Sequence, residues 1–277
     1  MIQLNRQQEF YRLSERLNIE VPKDYYWYHT IDLGNGLLTP GVFDLRNKLP
    51  FYNFPNSMEG LTVLDVGAAT GFFSFEFAKR GADVTATELP SLLELDVFPG
   101  QDIKDVVNKG IKYSKGYSYE EPKALNHELF YNLMLKEPFE FCSQRLNIPI
   151  KRRFVNVYDF SFEKLGKASF DFVFIGDVLL HTINPLQALA SIVEFCSGTL
   201  VIAQYMPNSN ENRAIMNYVG GDSMEDDMSV WWRPNASWFF QVLKKLGFSK
   251  VEVVNEFSDA YIPNGVEEVK SVIYAVR

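Results

Sequence analysis

Two short strand-like segments, residues 63–66 and 84–87, are followed by glycines and by an acid, respectively. Residues 63–66 form the kind of run that a parallel sheet buries on both faces. Gly67 and Gly71 bracket three small residues, which would let backbone N–H groups approach a ligand closely. Glu88 ends the next strand-like segment, at the edge where an open α/β sheet binds its ligands. The pattern therefore predicts a site for a nucleotide-like molecule.

The spacing of the glycines narrows the choice of ligand. A dinucleotide-binding turn carries glycines at relative positions one, three and six. Here they stand at positions one and five, with Ala69 between them and the bulky Phe72 at position six. A phosphate-binding P-loop would need Gly-Lys-Ser/Thr after the turn, and that sequence does not follow. Neither a dinucleotide nor a nucleoside triphosphate is favoured.

Further side chains with useful chemistry follow two later strand-like segments. Tyr158 and Asp159 come after the predicted strand 153–157, and Asp177 comes after the predicted strand 170–175. The carboxyl ends of parallel strands lie along one sheet edge, so these groups are expected near Glu88. His181 follows Asp177 and is either a general base or a structural hydrogen-bonding residue; the sequence leaves both open.

Strands and helices alternate along the rest of the chain, which predicts a Rossmann-like, doubly wound α/β sheet of seven strands. Residues 5–18 have the apolar spacing of an amphipathic helix, and residues 1–50 are predicted to cover the domain formed by residues 51–277. Residues 91–125 are predicted to be an insertion after the second strand, either a lid over the site or a dimer contact. A helix is expected over 126–146, interrupted at Pro138.

Composition limits the class of protein. The 277 residues carry a formal net charge of −8, which weighs against a broad nucleic-acid-binding surface. The two cysteines form no metal-ligand or disulfide pattern, and no metal site is predicted. The sequence contains no apolar run long enough to span a bilayer and no signal-peptide core at its start, so a cytoplasmic protein is expected.

At this point the residues resemble a known family. The first motif of class I S-adenosylmethionine-dependent methyltransferases, an acid followed by spaced glycines, is similar to DVGAATG, residues 65–71. Three other blocks are similar to a group related to the tRNA wobble-uridine carboxymethyl- and methyl-transferring enzymes: TIDLGNGLLTPGVFDL, FDFVFIGDVLLHTINPLQAL and WWRPNASWFFQVLKKLGF. The resemblance covers most of the chain from about residue 27 onward, apart from the insertion, and implies the class I methyltransferase fold with S-adenosylmethionine as cofactor.

The resemblance also implies roles for the site residues. Glu88, with Leu89 beside it, would hold the ribose hydroxyls, since one carboxylate accepts from two adjacent hydroxyls. The amides of the turn, from Gly67 and Ala68 to Gly71, would face the methionyl carboxylate. The implied remainder is Asp65 at the methionyl ammonium, Tyr158 and Asp159 at the adenine, and Asp177 and His181 on the methyl-transfer side. The alternative to Asp159 at the adenine is the Tyr158 main chain or Asn156.

Two departures from that group bear on the acceptor. Leu180 stands where the wobble-uridine enzymes have a tyrosine that helps to hold an extra carboxylate on their cofactor, and of the basic residues in that role only Lys270 has a match. Ordinary S-adenosylmethionine and a small-molecule acceptor, such as the oxygen of a sugar or natural product, are therefore expected. The alternatives are a tRNA acceptor, supported by Lys151, Arg152 and Arg153, and a non-catalytic cofactor-binding module. A homo-oligomer is left open.

Overall fold

A computed structural model describes residues 2–207, 213–225 and 229–277. Its centre is a seven-stranded sheet with the strand order β3-β2-β1-β4-β5-β9-β8, and β6 and β7 form a separate two-stranded ribbon. The strands are β1 Thr62–Val66, β2 Asp83–Glu88, β3 Lys151–Phe154, β4 Phe170–Gly176, β5 Cys196–Tyr205, β6 Met216–Tyr218, β7 Trp232–Pro234, β8 Lys250–Tyr261 and β9 Val266–Val276.

The register of the parallel strands places the predicted site residues at one edge. In β1, Val66 pairs with Thr87 of β2 on one side and with Ile175 of β4 on the other. These three strands therefore end level with one another, just before Gly67, Glu88 and Asp177. Strand β9 runs antiparallel to β5 and β8, so its first residues lie at the same edge as the ends of the parallel strands.

Helices cover both faces of the sheet, because the strand residues alternate between two hydrophobic cores. The first core joins the sheet to the phenylalanine-rich helix α2 and to the N-terminal segment, and the second joins it to α7 and α8. The α-helices are α1 Ile2–Arg16, α2 Phe72–Lys79, α3 Ile103–Tyr113, α4 His127–Tyr131, α5 Glu137–Leu146, α6 Phe162–Leu165, α7 Pro185–Val193 and α8 Ala236–Lys245. The predicted doubly wound, seven-stranded architecture is confirmed.

The N-terminal segment packs tightly on the sheet. Helix α1 starts earlier than predicted and ends before residue 18. Trp27 and Leu37 are buried in the same core as α2. Turn signals at residues 34–36 and 40–41 predict a hairpin or a loop after Trp27, and the structure has an irregular segment there with two isolated bridges, His29 to Phe43 and Asp32 to Leu38. The division of the chain at residue 51 stays a prediction, since residues on both sides share one core.

The connection between β2 and β3 contains α3, α4 and α5. A π-helical stretch, Asn132–Lys136, lies between α4 and α5 and directly precedes the segment in which Pro138 occupies the start of α5. Proline has no N–H to give to the preceding turn, which accounts for an irregularity at this place. The predicted interruption of the helix is thus confirmed.

Two strand boundaries differ from the prediction. Strand β3 is Lys151–Phe154 rather than 153–157, because the Asn156 side chain accepts a hydrogen bond from Tyr158 N and starts a 3₁₀ turn over Val157–Asp159. The two C-terminal strands pair as predicted but are longer, and they extend to residues 261 and 266.

Both cysteines are free and buried, Cys142 in the first core and Cys196 in the second. Within the described ranges, no helix combines the length and the apolar character needed to cross a membrane.

Candidate active site

A cavity of about 320 Å³ opens at the carboxyl edge of the central strands, which is within the usual size range of small-molecule sites. Two groups of residues line it. We call the first the turn half: it contains residues 65–69, Glu88, Leu89 and residues 155–158. We call the second the lysine half: its polar members are Tyr28, His29, Tyr52, Asp177, His181 and Lys270, with Phe43 among its apolar members.

The glycine turn requires left-handed backbone at alternate residues. Gly67, Ala69 and Gly71 have φ of 68°, 48° and 91°. A Cβ on Gly67 would lie 2.6 Å from a methyl carbon of Val178, so a side chain there would collide with the loop after β4. Ala69 occupies a conformation that costs a non-glycine residue about 1 kcal/mol. The turn is therefore held in one shape by conformation and by packing.

Gly71 has a different environment from Gly67. It does not line the cavity, and it caps α2. A Cβ at this position would lie 2.7 Å from the rings of Phe139 and Phe75. The predicted cofactor role of Gly71 is thus not supported by direct contact, and the residue shapes the turn from the core side.

Glu88 is fixed by the main chain around it. Its Oε2 accepts a hydrogen bond from Ala69 N at 2.9 Å, and its Oε1 accepts one from Leu89 N at 2.9 Å. Burial raises the pKa of this carboxyl, although the two amides and the Arg152 guanidinium act against the rise. Each oxygen keeps further lone-pair capacity, so the fixed carboxylate remains able to accept from a diol.

Asp65 lies beneath the turn and is almost completely buried. Ser74 Oγ donates to its Oδ2 at 2.5 Å. Burial raises the pKa of Asp65 to about 7, and the nearby Glu88 carboxylate adds to the rise. A cationic ligand group close to this pair would be electrostatically favoured.

Tyr158 and Asp159 have separate surroundings. Tyr158 lines the cavity, and its hydroxyl donates to Asp96 Oδ2 at 2.5 Å. Asp159 does not line the cavity; its carboxylate lies 3.4 Å from Lys164 Nζ and is mostly exposed. The sequence argument placed both residues at one ligand edge, but consecutive residues of a 3₁₀ turn point in different directions. Asn156 and Val157 line the cavity in its place.

Asp96 connects the insertion to the rest of the cavity wall. Besides Tyr158, its carboxylate accepts from Ile183 N at 2.6 Å, and its carbonyl accepts from Trp231 Nε1 at 3.3 Å. Sequence reasoning did not single out this residue, because nothing in the irregular stretch around it indicates its distant partners.

Asp177 carries the most unusual backbone in the lysine half. Its φ is 50°, and its N–H donates to Ala203 O of β5 at 3.0 Å. Its Oδ2 lies 2.6 Å from Lys270 Nζ, and Lys270 Nζ also lies 2.9 Å from Asp259 Oδ2. Lys270 and Asp259 are both buried. Sequence reasoning noted Lys270 as a basic residue but could not foresee these acid partners, which lie on β8 and after β4.

His181 lines the cavity with a defined tautomer. Its Nδ1 lies 2.6 Å from the carbonyl oxygen of Ser229, and a carbonyl only accepts hydrogen bonds, so Nδ1 carries the proton. Burial lowers the pKa of the imidazole, against the opposing effects of Ser229 and Asp177. The ring is therefore neutral near pH 7, and Nε2 is its basic nitrogen.

The N-terminal segment supplies a second neutral histidine. His29 is buried against Phe72 and Phe73, and its Nδ1 lies 3.1 Å from Thr70 Oγ1 in the glycine turn. Burial and the Lys270 charge lower the pKa of His29 to about 3. The aromatic cluster before it was predicted to be a cover, and Tyr28 and His29 contribute to the cavity wall.

The comparisons with known proteins agree with the fold. No protein-family model matches the chain, and no curated protein matches its sequence. The crystal structure of the N-terminal domain of EvdMO1 with S-adenosylhomocysteine bound is similar to it, with a TM-score of 0.53 and 15% identity over 97% of this chain and 96% of that one. The structure of EvdMO1 itself has a TM-score of 0.50 and 16% identity over 97% of this chain and 47% of that one.

The YcgJ protein from Bacillus subtilis is also similar, with a TM-score of 0.51 and 9% identity over 83% of this chain and 97% of that one. At these identities the similarity establishes the fold. The chain has the class I methyltransferase fold, as predicted, with an N-terminal extension and an insertion after the second strand.

Proposed function

We propose that the protein is an S-adenosylmethionine-dependent methyltransferase that methylates an oxygen of a small molecule. The observation that carries the proposal is the turn half of the cavity. There the tight glycine turn and the anchored Glu88 carboxylate stand side by side at the ends of β1 and β2, while a neutral histidine faces the same cavity from beyond β4.

The residues of the turn half fit this cofactor. Glu88 would accept from the ribose hydroxyls. The N–H groups of Ala68, Ala69 and Gly71 already donate within the protein, so the small residues of the turn would instead let the methionyl end approach the main chain closely. Asp65 would attract the methionyl ammonium, and residues 156–158 would border the adenine. When bound, S-adenosylmethionine supplies a methyl group on a positively charged sulfur, which an oxygen nucleophile displaces in line.

Two residues of the lysine half would serve the acceptor. His181 Nε2 would take the proton of the acceptor hydroxyl as that oxygen takes up the methyl group. The imidazolium that results is stabilised by the Ser229 carbonyl and by the negative charge of Asp177. Positioning supplies the remaining rate enhancement, since the displacement needs oxygen, carbon and sulfur in line.

The tRNA alternative lacks support from its basic cluster. Lys151 Nζ lies 2.6 Å from Asp83, and the Arg152 guanidinium is directed to the carbonyls of Ala69, Leu135 and Lys136. Of the three cations that would contact phosphates, Lys151 is thus paired with an acid at the surface and Arg152 is engaged inside the protein. A small-molecule acceptor also suits a cavity enclosed by aromatic side chains.

Calorimetric titration tests the cofactor. We expect S-adenosylmethionine and S-adenosylhomocysteine to bind with micromolar affinity and NAD to show no comparable binding. Tighter binding of NAD would redirect the assignment to a dehydrogenase, and no binding of either S-adenosyl compound at millimolar concentration would refute it.

Incubation with S-adenosyl-[methyl-²H₃]methionine and a small-molecule extract, followed by mass spectrometry, tests the transfer. Labelled products are expected, and they should be absent with the variant His181→Gln. Cofactor binding without any labelled product would favour a non-catalytic module.

A further inference from the structure

Lys270 and the two acids that contact it form a cluster of charged groups beside the cavity. Its members are Asp177, Asp259 and Lys270, and both carboxylates contact the same ammonium, at 2.6 and 2.9 Å. Lys270 Nζ also lies 4.9 Å from the ring centre of Tyr205 and 5.9 Å from that of Phe43. We call this set the lysine cluster. Two acids and one base leave it with one surplus negative charge.

The two carboxylates are not satisfied to the same degree. Asp259 Oδ1 accepts from Ala260 N at 3.0 Å, while its Oδ2 has the ion pair without a hydrogen bond of good geometry. Asp177 Oδ1 is buried and has no hydrogen-bond partner among the described residues. A buried acceptor left unpaired costs about 1 to 3 kcal/mol. Of the two acids, only Asp177 also lines the cavity, and its side chain is 25% exposed. Because Oδ1 is closed to solvent, a ligand donor in the cavity would reach this carboxylate at Oδ2.

The strand order separates this cluster from the nucleoside end of the site. Glu88 ends β2, whereas Lys270 lies on β9, which is four places further along the order β2-β1-β4-β5-β9. Neighbouring strands are about 4.8 Å apart, so the two strands are separated by roughly 19 Å across the sheet. Asp177 follows β4, between them. The lysine cluster therefore approaches Asp177 from the side away from the predicted cofactor.

We propose that the lysine cluster selects the methyl acceptor, by accepting a hydrogen bond on Asp177 from a neutral hydroxyl or a protonated amine and by repelling anionic acceptors. The inference rests on the proposed function and adds a substrate class to it. Lys270 holds the Asp177 carboxylate in place. The two acids balance the positive charge of Lys270, so it offers no free positive charge to an acidic ligand. Asp259 supplies the surplus negative charge and acts through Lys270 as a positioning residue.

Because aromatic side chains line the cavity, small aromatic compounds of similar size and different charge suit a binding test. Benzyl alcohol, benzylamine and benzoate share a ring and differ in charge, and each can be titrated by saturation-transfer NMR against the protein saturated with S-adenosylhomocysteine. Ionic strength near 0.15 M limits the long-range effect of the net charge, because the screening length is then about 8 Å. We expect the alcohol and the amine to bind at least about tenfold more tightly than benzoate, which corresponds to about 1.4 kcal/mol.

Substitutions test whether the lysine cluster causes the preference for benzyl alcohol and benzylamine over benzoate. Asp177→Asn should weaken benzylamine binding by about tenfold. Asp259→Asn removes the surplus negative charge and should therefore abolish the discrimination against benzoate while benzyl alcohol still binds. Glu9→Gln makes the same change of charge on the exposed face of α1 and should leave all three affinities unchanged. Thermal melts identify any variant that fails to fold, and Asp259→Asn serves as the second test if Asp177→Asn does so.

Several results would overturn the proposal. These are benzoate binding as tightly as benzylamine, equal effects of Asp259→Asn and Glu9→Gln, or no binding of benzyl alcohol and benzylamine at millimolar concentration. A tenfold change in the ratio of S-adenosylmethionine to S-adenosylhomocysteine affinity in Asp259→Asn would mean that the cluster serves the cofactor sulfonium instead. Loss of S-adenosylhomocysteine binding by the unmodified protein would instead refute the proposed function.

Discussion

The two halves of the cavity are built in opposite ways. In the turn half, residues 65–69, Glu88 and Leu89 come from one continuous β-turn-α-β segment, and the polar contacts join main-chain amides to a nearby carboxylate. In the lysine half, Asp177 and Lys270 come from distant parts of the chain, and their side-chain charges hold one another together with Asp259 outside the cavity wall. The geometry of the turn half is therefore set by local backbone conformation, whereas the geometry of the lysine half requires the complete fold.

The two halves should therefore respond differently to substitutions. A change in the turn half should alter ligand affinity more than overall stability, since its elements are already fixed by the core. A change in the lysine half should alter stability more than cofactor affinity, since it breaks a buried charge cluster. Of the four predictions that follow, those for Lys270, Gly67 and Glu88 test this division, and that for Asp65 tests the electrostatics beneath the turn.

The largest effect is expected for Lys270→Met. Removing the cation leaves the buried Asp259 and the partly buried Asp177 without their ion-pair partner, and breaking a buried ion pair in this way costs about 3 to 5 kcal/mol of the free energy of unfolding. Lys79→Met is the matched control, because Lys79 pairs with Glu76 at the surface and such pairs are worth about 1 kcal/mol or less. Urea denaturation measures both. Equal losses in the two variants would contradict the division.

Gly67→Val should reduce the affinity for S-adenosylhomocysteine by about 100-fold, or about 3 kcal/mol, because the side chain would collide with Val178 in left-handed backbone. Gly60→Val places the same residue at a similar φ with nothing within 4 Å. That control should lose about 1 to 2 kcal/mol of stability and keep its affinity. Calorimetry and denaturation separate the two effects, and an unchanged affinity in Gly67→Val would show that the site lies elsewhere.

Asp65→Asn should change the pH dependence of stability. The pKa of Asp65 is raised from 3.8 to about 7 in the folded protein, so the folded state binds the proton more tightly than the unfolded state. Its contribution to stability is present below 3.8, is lost as the pH rises to about 7 and is constant above that. From about pH 5 to 7.5 the wild type should therefore lose about 2 to 3 kcal/mol relative to Asp65→Asn. A constant difference between the two proteins over this range would exclude the raised pKa.

Glu88→Gln should weaken cofactor binding by about 10- to 100-fold, since hydrogen bonds to a charged group are worth about 1.5 to 3 kcal/mol. Asp171→Asn is the control at the start of β4, on the opposite edge of the sheet, where the carboxylate accepts hydrogen bonds from Thr62 outside the cavity. Titration with S-adenosylhomocysteine measures both variants. An equal affinity for the two would remove Glu88 from the binding site.

Sequence reasoning succeeded where function depends on local pattern. The apolar runs of β1, β2 and β4 predicted the strands, and their common register explains why Glu88 and Asp177 meet at one edge. It misplaced Asp159, because the capping bond of Asn156 starts a turn that directs this carboxylate to Lys164. A single hydrogen bond of this kind leaves no periodic signal.

Pairings between distant residues were beyond prediction from one sequence. Lys270 was visible as a basic residue, but its acid partners follow from the antiparallel placement of β9 between β5 and β8. The Ser229 carbonyl that sets the tautomer of His181 lies in a stretch without regular structure. Here the geometry of the whole sheet, rather than any local motif, determines the chemistry.

Asp96 has a consequence for the kinetics of ligand exchange. Its hydrogen bonds join the insertion to Tyr158, Ile183 and Trp231, all around one rim of the cavity. We expect a ligand behind this rim to enter and leave more slowly while those bonds hold, so that the same residue limits both rates. Asp96→Ala should accordingly raise the association and dissociation rate constants of S-adenosylhomocysteine in parallel, and stopped-flow measurements would register a faster exchange at an almost unchanged equilibrium affinity.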